Sequence, residues 1–177
     1  MTSAQLRIGL LIDEGFDDDE FSEMLEQFGL AGARVTVVAP FPGRLYCGRR
    51  GRIEVACDLD ARTARTQRFS ALVIPGGYAA DRLRLRHVIL DLVRDAIGQN
   101  IPIGAVGHGP QVLISAGVLS GRTVTCWPSI AIDVKNAGGL YVDRPVVEDR
   151  GVVTARKIED VGPFVEAVLQ AVSSHAR

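Results

Sequence analysis

Short runs of apolar residues alternate along the chain with longer stretches in which apolar positions recur every three or four residues. Leu6–Ile12 (LRIGLLI) reads as a buried parallel strand. Asp17–Ala31 follows with Phe21, Met24, Leu25 and Phe28 at helical spacing and Glu20, Glu23 and Glu26 kept polar, and Gly29 and Gly32 fit its end. Arg34–Ala39 is a second strand, rich in β-branched residues. Phe41–Asp60 is weakly patterned, with Gly43, Gly48 and Gly51 as turn signals, and suggests a hairpin or strand pair at the sheet margin. Ala71–Ile74 is a third core strand that stops at Pro75-Gly76-Gly77. Asp81–Ile97 carries Leu85, Val88, Ile89, Leu92, Val93 and Ala96 on one face and predicts a single helix. Ile101–Val106 is a fourth strand, broken by Gly107-His108-Gly109-Pro110, after which a helix runs to about Ala116. Beyond it the pattern predicts a strand at Thr123–Cys126 and a short helix within Pro128–Ala137. Short strands at Leu140–Val142, Val146–Glu148 and Val152–Thr154 precede a final amphipathic helix through Val161, Phe164, Val165, Val168, Leu169 and Val172.

Strands alternating with helices predict an α/β fold: one doubly wound, flavodoxin-like sandwich over residues 1–177, with a mostly parallel sheet and helices on both faces. Ligands of such sheets bind beyond the carboxyl ends of the strands. The loops after Ile12, Ile74 and Val106 are therefore the ones to examine. Composition narrows the partners. The net charge is −1, which leaves no electrostatic footprint for nucleic acid or an acidic membrane surface. No apolar stretch approaches the ~20 residues of a membrane span. Met1–Gln5 is polar and uncharged, unlike a secretory leader. Three cysteines, Cys47, Cys57 and Cys126, are an odd count without metal spacing, and they suit a reducing cytoplasm better than a disulfide framework. The histidines, His87, His108 and His175, are scattered and give no zinc pattern, so neither metal nor cofactor is expected. The arginine clusters, Arg49-Arg50-Arg52 among them, read as solvated surface.

The three loops carry Asp13-Glu14-Gly15-Phe16-Asp17-Asp18-Asp19-Glu20, Pro75-Gly76-Gly77-Tyr78 and Gly107-His108-Gly109-Pro110. With TCWPSI, DVKNAGG and VDRPVV in the same order, nearly the whole chain resembles the ThiJ/PfpI superfamily, relatives of class I glutamine amidotransferases, and its PfpI-like branch. The resemblance implies a flavodoxin-like fold and a nucleophilic cysteine at the elbow, used in deglycase, glyoxalase, peptidase and isonitrile-hydratase branches. Here that position is Gly107, so covalent thiol catalysis at the tip is excluded. The resemblance places the assisting carboxylate at Asp17, where glutamate is usual. It places the backbone of Gly76, Gly77 and Gly107, with the His108 amide, around an oxyanion. It also implies a homodimer or higher homo-oligomer in which Asp81 of a neighbouring subunit orients His108.

The residues themselves allow the same roles. His108 sits in a glycine-rich turn at a strand end, and an unperturbed imidazole titrates near ~6.5, suited to general acid–base work. Asp17–Glu20 at a helix start also serves as an N-cap and complements the helix dipole. The run lacks the glycine and terminal glutamate of a calcium loop. Tyr78 and Trp127 are expected pocket walls for a substrate. Cys126, one residue before Trp127, should face the core. Two functions follow as expectations. One is a cofactor-free enzyme of hydrolase, hydratase, isomerase or lyase type, using non-covalent acid–base chemistry on a small carbonyl-type metabolite. The other is a catalytically inactive binding or regulatory protein that keeps the pocket.

Overall fold

The computed structural model describes residues 5–175; the ends of the 1–177 reading, including most of the polar stretch from Met1, lie outside the described residues. The chain runs β1 (Arg7–Leu11), α1 (Asp18–Leu30), β2 (Arg34–Ala39), β3 (Leu45–Cys47), β4 (Glu54–Ala56), β5 (Leu59–Asp60), α2 (Ala61–Ala64) and β6 (Ala71–Ile74). It continues through α3 (Ala79–Leu83), α4 (His87–Gly98), β7 (Ile103–Val106), α5 (Pro110–Ala116), β8 (Thr123–Val124) and α6 (Ala131–Asn136). It ends with β9 (Leu140–Tyr141), β10 (Val146–Asp149), β11 (Val152–Ala155) and α7 (Val161–His175).

Seven strands form the central sheet in the order β10-β11-β7-β6-β1-β2-β5. All neighbours pair in parallel except the edge strand β10, which runs antiparallel to β11. The sheet buries both faces, which is why β6 and β7 read as unbroken apolar runs. On one face Phe21, Met24 and Phe28 of α1 join Phe164, Val165 and Val168 of α7 over Ile8, Leu10 and Val73. On the other, Ile89, Leu92 and Val93 of α4 and Val112 and Leu113 of α5 cover Leu11, Leu72 and Ile74. The fold is thus α/β with a mostly parallel central sheet flanked by helices, as the alternation of elements predicts. β1 connects outward to β2 on one side while β6 lies on its other side, so the order reverses beside β1. The loops after β1, β6 and β7 meet at that reversal, where α/β sheets bind ligands.

Two elements differ from the pattern. The single helix expected over Asp81–Ile97 is two, α3 and α4, with Arg86 extended between them (φ −96°, ψ 103°). Leu85, which fits the helical spacing, is exposed. The neighbouring arginines make tertiary contacts instead: Arg84 Nε donates to Ser115 Oγ at 2.9 Å, and Arg86 Nε lies 3.6 Å from the buried Asp13 carboxylate and packs over Phe41. The strand expected through Cys126 stops at Val124, because the chain turns to satisfy other groups. The Thr125 amide donates to Thr154 Oγ1 at 2.9 Å and the Trp127 amide to the Gly107 carbonyl at 2.9 Å. Within Phe41–Asp60, β3 and β4 form the expected hairpin outside the main sheet, and β5 joins the edge of that sheet beside β2.

Candidate functional site

Gly107 ends β7 with φ +60°, a left-handed conformation that any side chain resists. The chain turns through it into α5, which starts at Pro110, a residue that fits a helix start because it needs no amide partner there. Around this tip lies a cleft of about 1010 Å³ whose lining includes Asp17, Glu20, Arg49, Gly77, Tyr78 and Asp81, together with Gly107, His108 and Trp127.

Each member of the acidic run does something different. Asp17 is the N-cap of α1: its Oδ1 accepts from the amides of Asp19 and Glu20 at 3.1 and 3.0 Å, and its Oδ2 pairs with Arg49 Nε at 2.7 Å. Asp18 is buried and points away from the cleft, accepting from the amides of Arg50, Arg52 and Ile53 at 2.9–3.1 Å. Burial opposes its ionisation, but those amides outweigh burial and hold its carboxyl below the usual range. Asp19 pairs with Arg50 and Arg52. Glu20, one turn into the helix, reaches under the elbow. Its Oε2 accepts from the Gly76 amide at 2.6 Å, and its Oε1 would stand 3.4 Å from a Cβ placed on Gly107.

The carboxyl against the tip is therefore Glu20, and not Asp17 as the resemblance implies. Asp17 lines the cleft but is turned back to cap its own helix. Burial first, then the negative charge of Asp17, pushes Glu20 up to about 7; the Gly76 amide and the Arg49 charge only partly offset this. A sequence signal for Glu20 was present: an N-cap aspartate followed three residues later by glutamate is a capping-box spacing. Here the glutamate forgoes the cap and crosses to Gly76.

The backbone donors also sort themselves. The Gly76 amide is taken by Glu20 and the Gly107 amide by the Ala155 carbonyl at 3.0 Å, so neither is free for a substrate oxygen. Among the described residues the amides of Gly77 and His108, both at the cleft, donate to no protein acceptor. The His108 ring is half-buried, stacks with Trp127 at 6.2 Å between centroids, and has Nε2 3.5 Å from Ser129 Oγ. Burial, then the Arg49 charge, lowers its pKa, so the ring is neutral near pH 7. Tyr78 and Trp127 wall the cleft and are partly exposed, and Asp81 is exposed on its lining with no hydrogen bond to His108 within the chain. Cys126 is fully buried, and burial, then the Asp133 charge, pushes its thiol up to about 12. Among the described residues no three His, Cys, Asp or Glu side chains gather as a metal site, and no helix is long and apolar enough to cross a membrane.

Comparison with known proteins agrees with this architecture. The model of the DJ-1/PfpI family matches residues 6–171. "Protein/nucleic acid deglycase 2" of Escherichia coli (strain K12) is 36% identical over 165 residues, spanning 93% of this chain and 96% of its own. "General stress protein 18" of Bacillus subtilis (strain 168) is 34% identical over 160 residues, spanning 89% of this chain and 92% of its own. A solved two-domain protein of Anabaena variabilis, with dj-1/thij/pfpi-like and ferritin-like domains, superposes with a TM-score of 0.92 at 33% identity over 96% of this chain. This chain spans 48% of that two-domain protein.

Proposed function

The chain belongs to the DJ-1/PfpI family, and from that premise we propose that it is a cofactor-free enzyme acting on a small carbonyl-type metabolite by proton transfer, without a covalent thiol intermediate. The observation that carries this reading is Glu20, a buried carboxyl raised to about 7 and set against a tip residue with no side chain. A general acid–base group works best when its pKa lies near the working pH. In this reading Gly107 stands at the family's cysteine position, and the space beside Glu20 receives substrate in place of a thiol.

The Glu20 carboxylate removes a proton from the carbon next to the carbonyl. The C–H electron pair moves into the carbon–carbon bond, and the carbonyl oxygen becomes an enolate oxygen held by the Gly77 and His108 amides. Reprotonation at another carbon gives isomerisation. Loss of a leaving group gives a lyase reaction, and the same base acting on water gives hydration or hydrolysis. Neutral His108 exchanges a hydrogen bond with a substrate oxygen, while Tyr78 and Trp127 wall the substrate. Asp81 of a neighbouring subunit orients His108 in a homodimer. A relative named as a deglycase supports carbonyl-derived substrates.

The tip without a nucleophile also favours a second reading, a binding or regulatory protein that keeps the pocket. Proton NMR in D2O decides between them. The protein is incubated with hydroxyacetone, glyceraldehyde and pyruvate, and loss of C–H signal or a new product is followed. The enzyme reading expects exchange or turnover of at least one compound, reduced roughly 10²–10⁴-fold in Glu20→Gln. No exchange with any of them, or equal rates in the variant, leaves the binding reading.

A further inference from the structure

Arg49 lies outside the three strand-end loops, on the turn between β3 and β4, yet it lines the cleft. The acidic run fixes it there. Asp18 holds the turn through three backbone amides, and a side chain on Gly48 would collide with the Asp18 carboxylate. The Arg49 amide donates to the Phe16 carbonyl at 2.9 Å, and Asp17 fixes Nε at 2.7 Å. Only Nε is used by a carboxylate. Among the described residues the two terminal nitrogens have no carboxylate partner, and the Tyr78 phenol lies beside the guanidinium. Arg49 lines the same cleft as Glu20 and His108, and its charge acts on both.

The other charges of the cleft do not cancel this fork. Asp17 is committed to Arg49 and to the helix amides, and Asp19 to Arg50 and Arg52. Glu20 is held by Gly76, Glu159 lies 3.8 Å from Lys157, and Asp81 is exposed on α3. Arg82, also on the lining, has no ion-pair partner among the described residues and adds a second cation. A planar guanidinium whose end nitrogens hold no carboxylate matches two oxygens of a carboxylate or phosphate.

We propose that Arg49 is the specificity-determining residue of this cleft, and that the carbonyl substrate carries an oxyanion, carboxylate or phosphate, which Arg49 grips end-on beside Glu20. The inference deepens the acid–base reading and rests on it for the carbonyl, but not for the anion. Trp127 is the single tryptophan of the chain and lines the cleft, so its fluorescence reports occupancy without turnover. The probes are pyruvate, hydroxyacetone and the phosphate ester of hydroxyacetone. At least one anionic probe is expected to bind about tenfold or more tighter than neutral hydroxyacetone. Which one does so identifies the oxyanion. The preference should vanish in Arg49→Gln and also in the double variant Arg49→Gln with Asp17→Asn, which leaves no unpaired carboxylate. Thermal melting confirms that both variants fold, and Arg49→Lys should retain part of the preference. Equal binding of all three probes, or an anion preference that survives in both glutamine variants, overturns the proposal. If anion binding depends on Arg49 but no C–H exchange occurs, the acid–base reading fails and this one stands.

Discussion

Replacing Gly107 by alanine measures what the elbow costs a residue with a side chain. At φ +60° a non-glycine residue carries strain of about 1–2 kcal/mol, because its Cβ crowds its own backbone. Crowding from elsewhere adds little: the new Cβ would meet Glu20 Oε1 at 3.4 Å and the Arg156 carbonyl at 3.6 Å, close to ordinary contact distances. Gly107→Ala should therefore fold normally and lose about 1–2 kcal/mol, well short of a core clash. Urea unfolding at fixed pH, extrapolated linearly, reads the loss. Gly107→Cys bears the same strain and sets its sulfur beside the Glu20 carboxyl in the open cleft, where iodoacetamide should label it. Unchanged stability in the alanine variant would refute the claim that the tip is strained for side chains. Failure of both variants to fold would refute the claim that the space is there.

Glu20→Gln should raise stability at alkaline pH. The folded chain keeps the Glu20 proton up to about 7, while the unfolded chain releases it near the ordinary 4.5. Stability thus falls as pH rises from 4.5 through 7, and the amide, which still accepts from Gly76, removes a penalty of roughly 3 kcal/mol at pH 8 and little of it at pH 4. Urea unfolding at the two pH values checks the difference. Asp18→Asn loses the acceptor for the Arg50 amide, so a destabilisation of roughly 2–3 kcal/mol is expected at pH 7. Because the Asp18 carboxyl is held below its ordinary range, that difference should shrink as pH falls below about 3.8, which an acid series of melts would show. Iodoacetamide should leave any native turnover intact, since no thiol lines the cleft and Cys126 is buried with its thiol pushed up to about 12; mass spectrometry locates the label.

The core strands were legible because buried parallel strands are continuous apolar runs, and Ala71–Ile74 and Ile103–Val106 carry nothing else. The break between α3 and α4 was not. Leu85 keeps the helical period, and the contacts that end the helix, Arg84 with Ser115 and Arg86 with Asp13, join residues far apart in sequence. At the site, the Pro-Gly-Gly turn and the Gly107 tip announce themselves as punctuation at strand ends. The choice of Glu20 over Asp17 depends on the phase of α1, about 100° per residue, which four consecutive acids do not reveal. Arg49 read as solvated surface because its partners lie about thirty residues earlier, on a helix start that only the folded hairpin brings to it.

Proton transfer in this cleft requires Glu20 to be poised to exchange a proton near neutrality. A carbon-13 NMR titration of the glutamate side-chain carboxyls, in the folded protein and in Glu20→Gln, reads this directly. One carboxyl should titrate near 7 and be missing from the variant. If every glutamate in the wild-type chain titrates near the ordinary 4.5, Glu20 is a structural carboxylate and the proton-transfer reading falls.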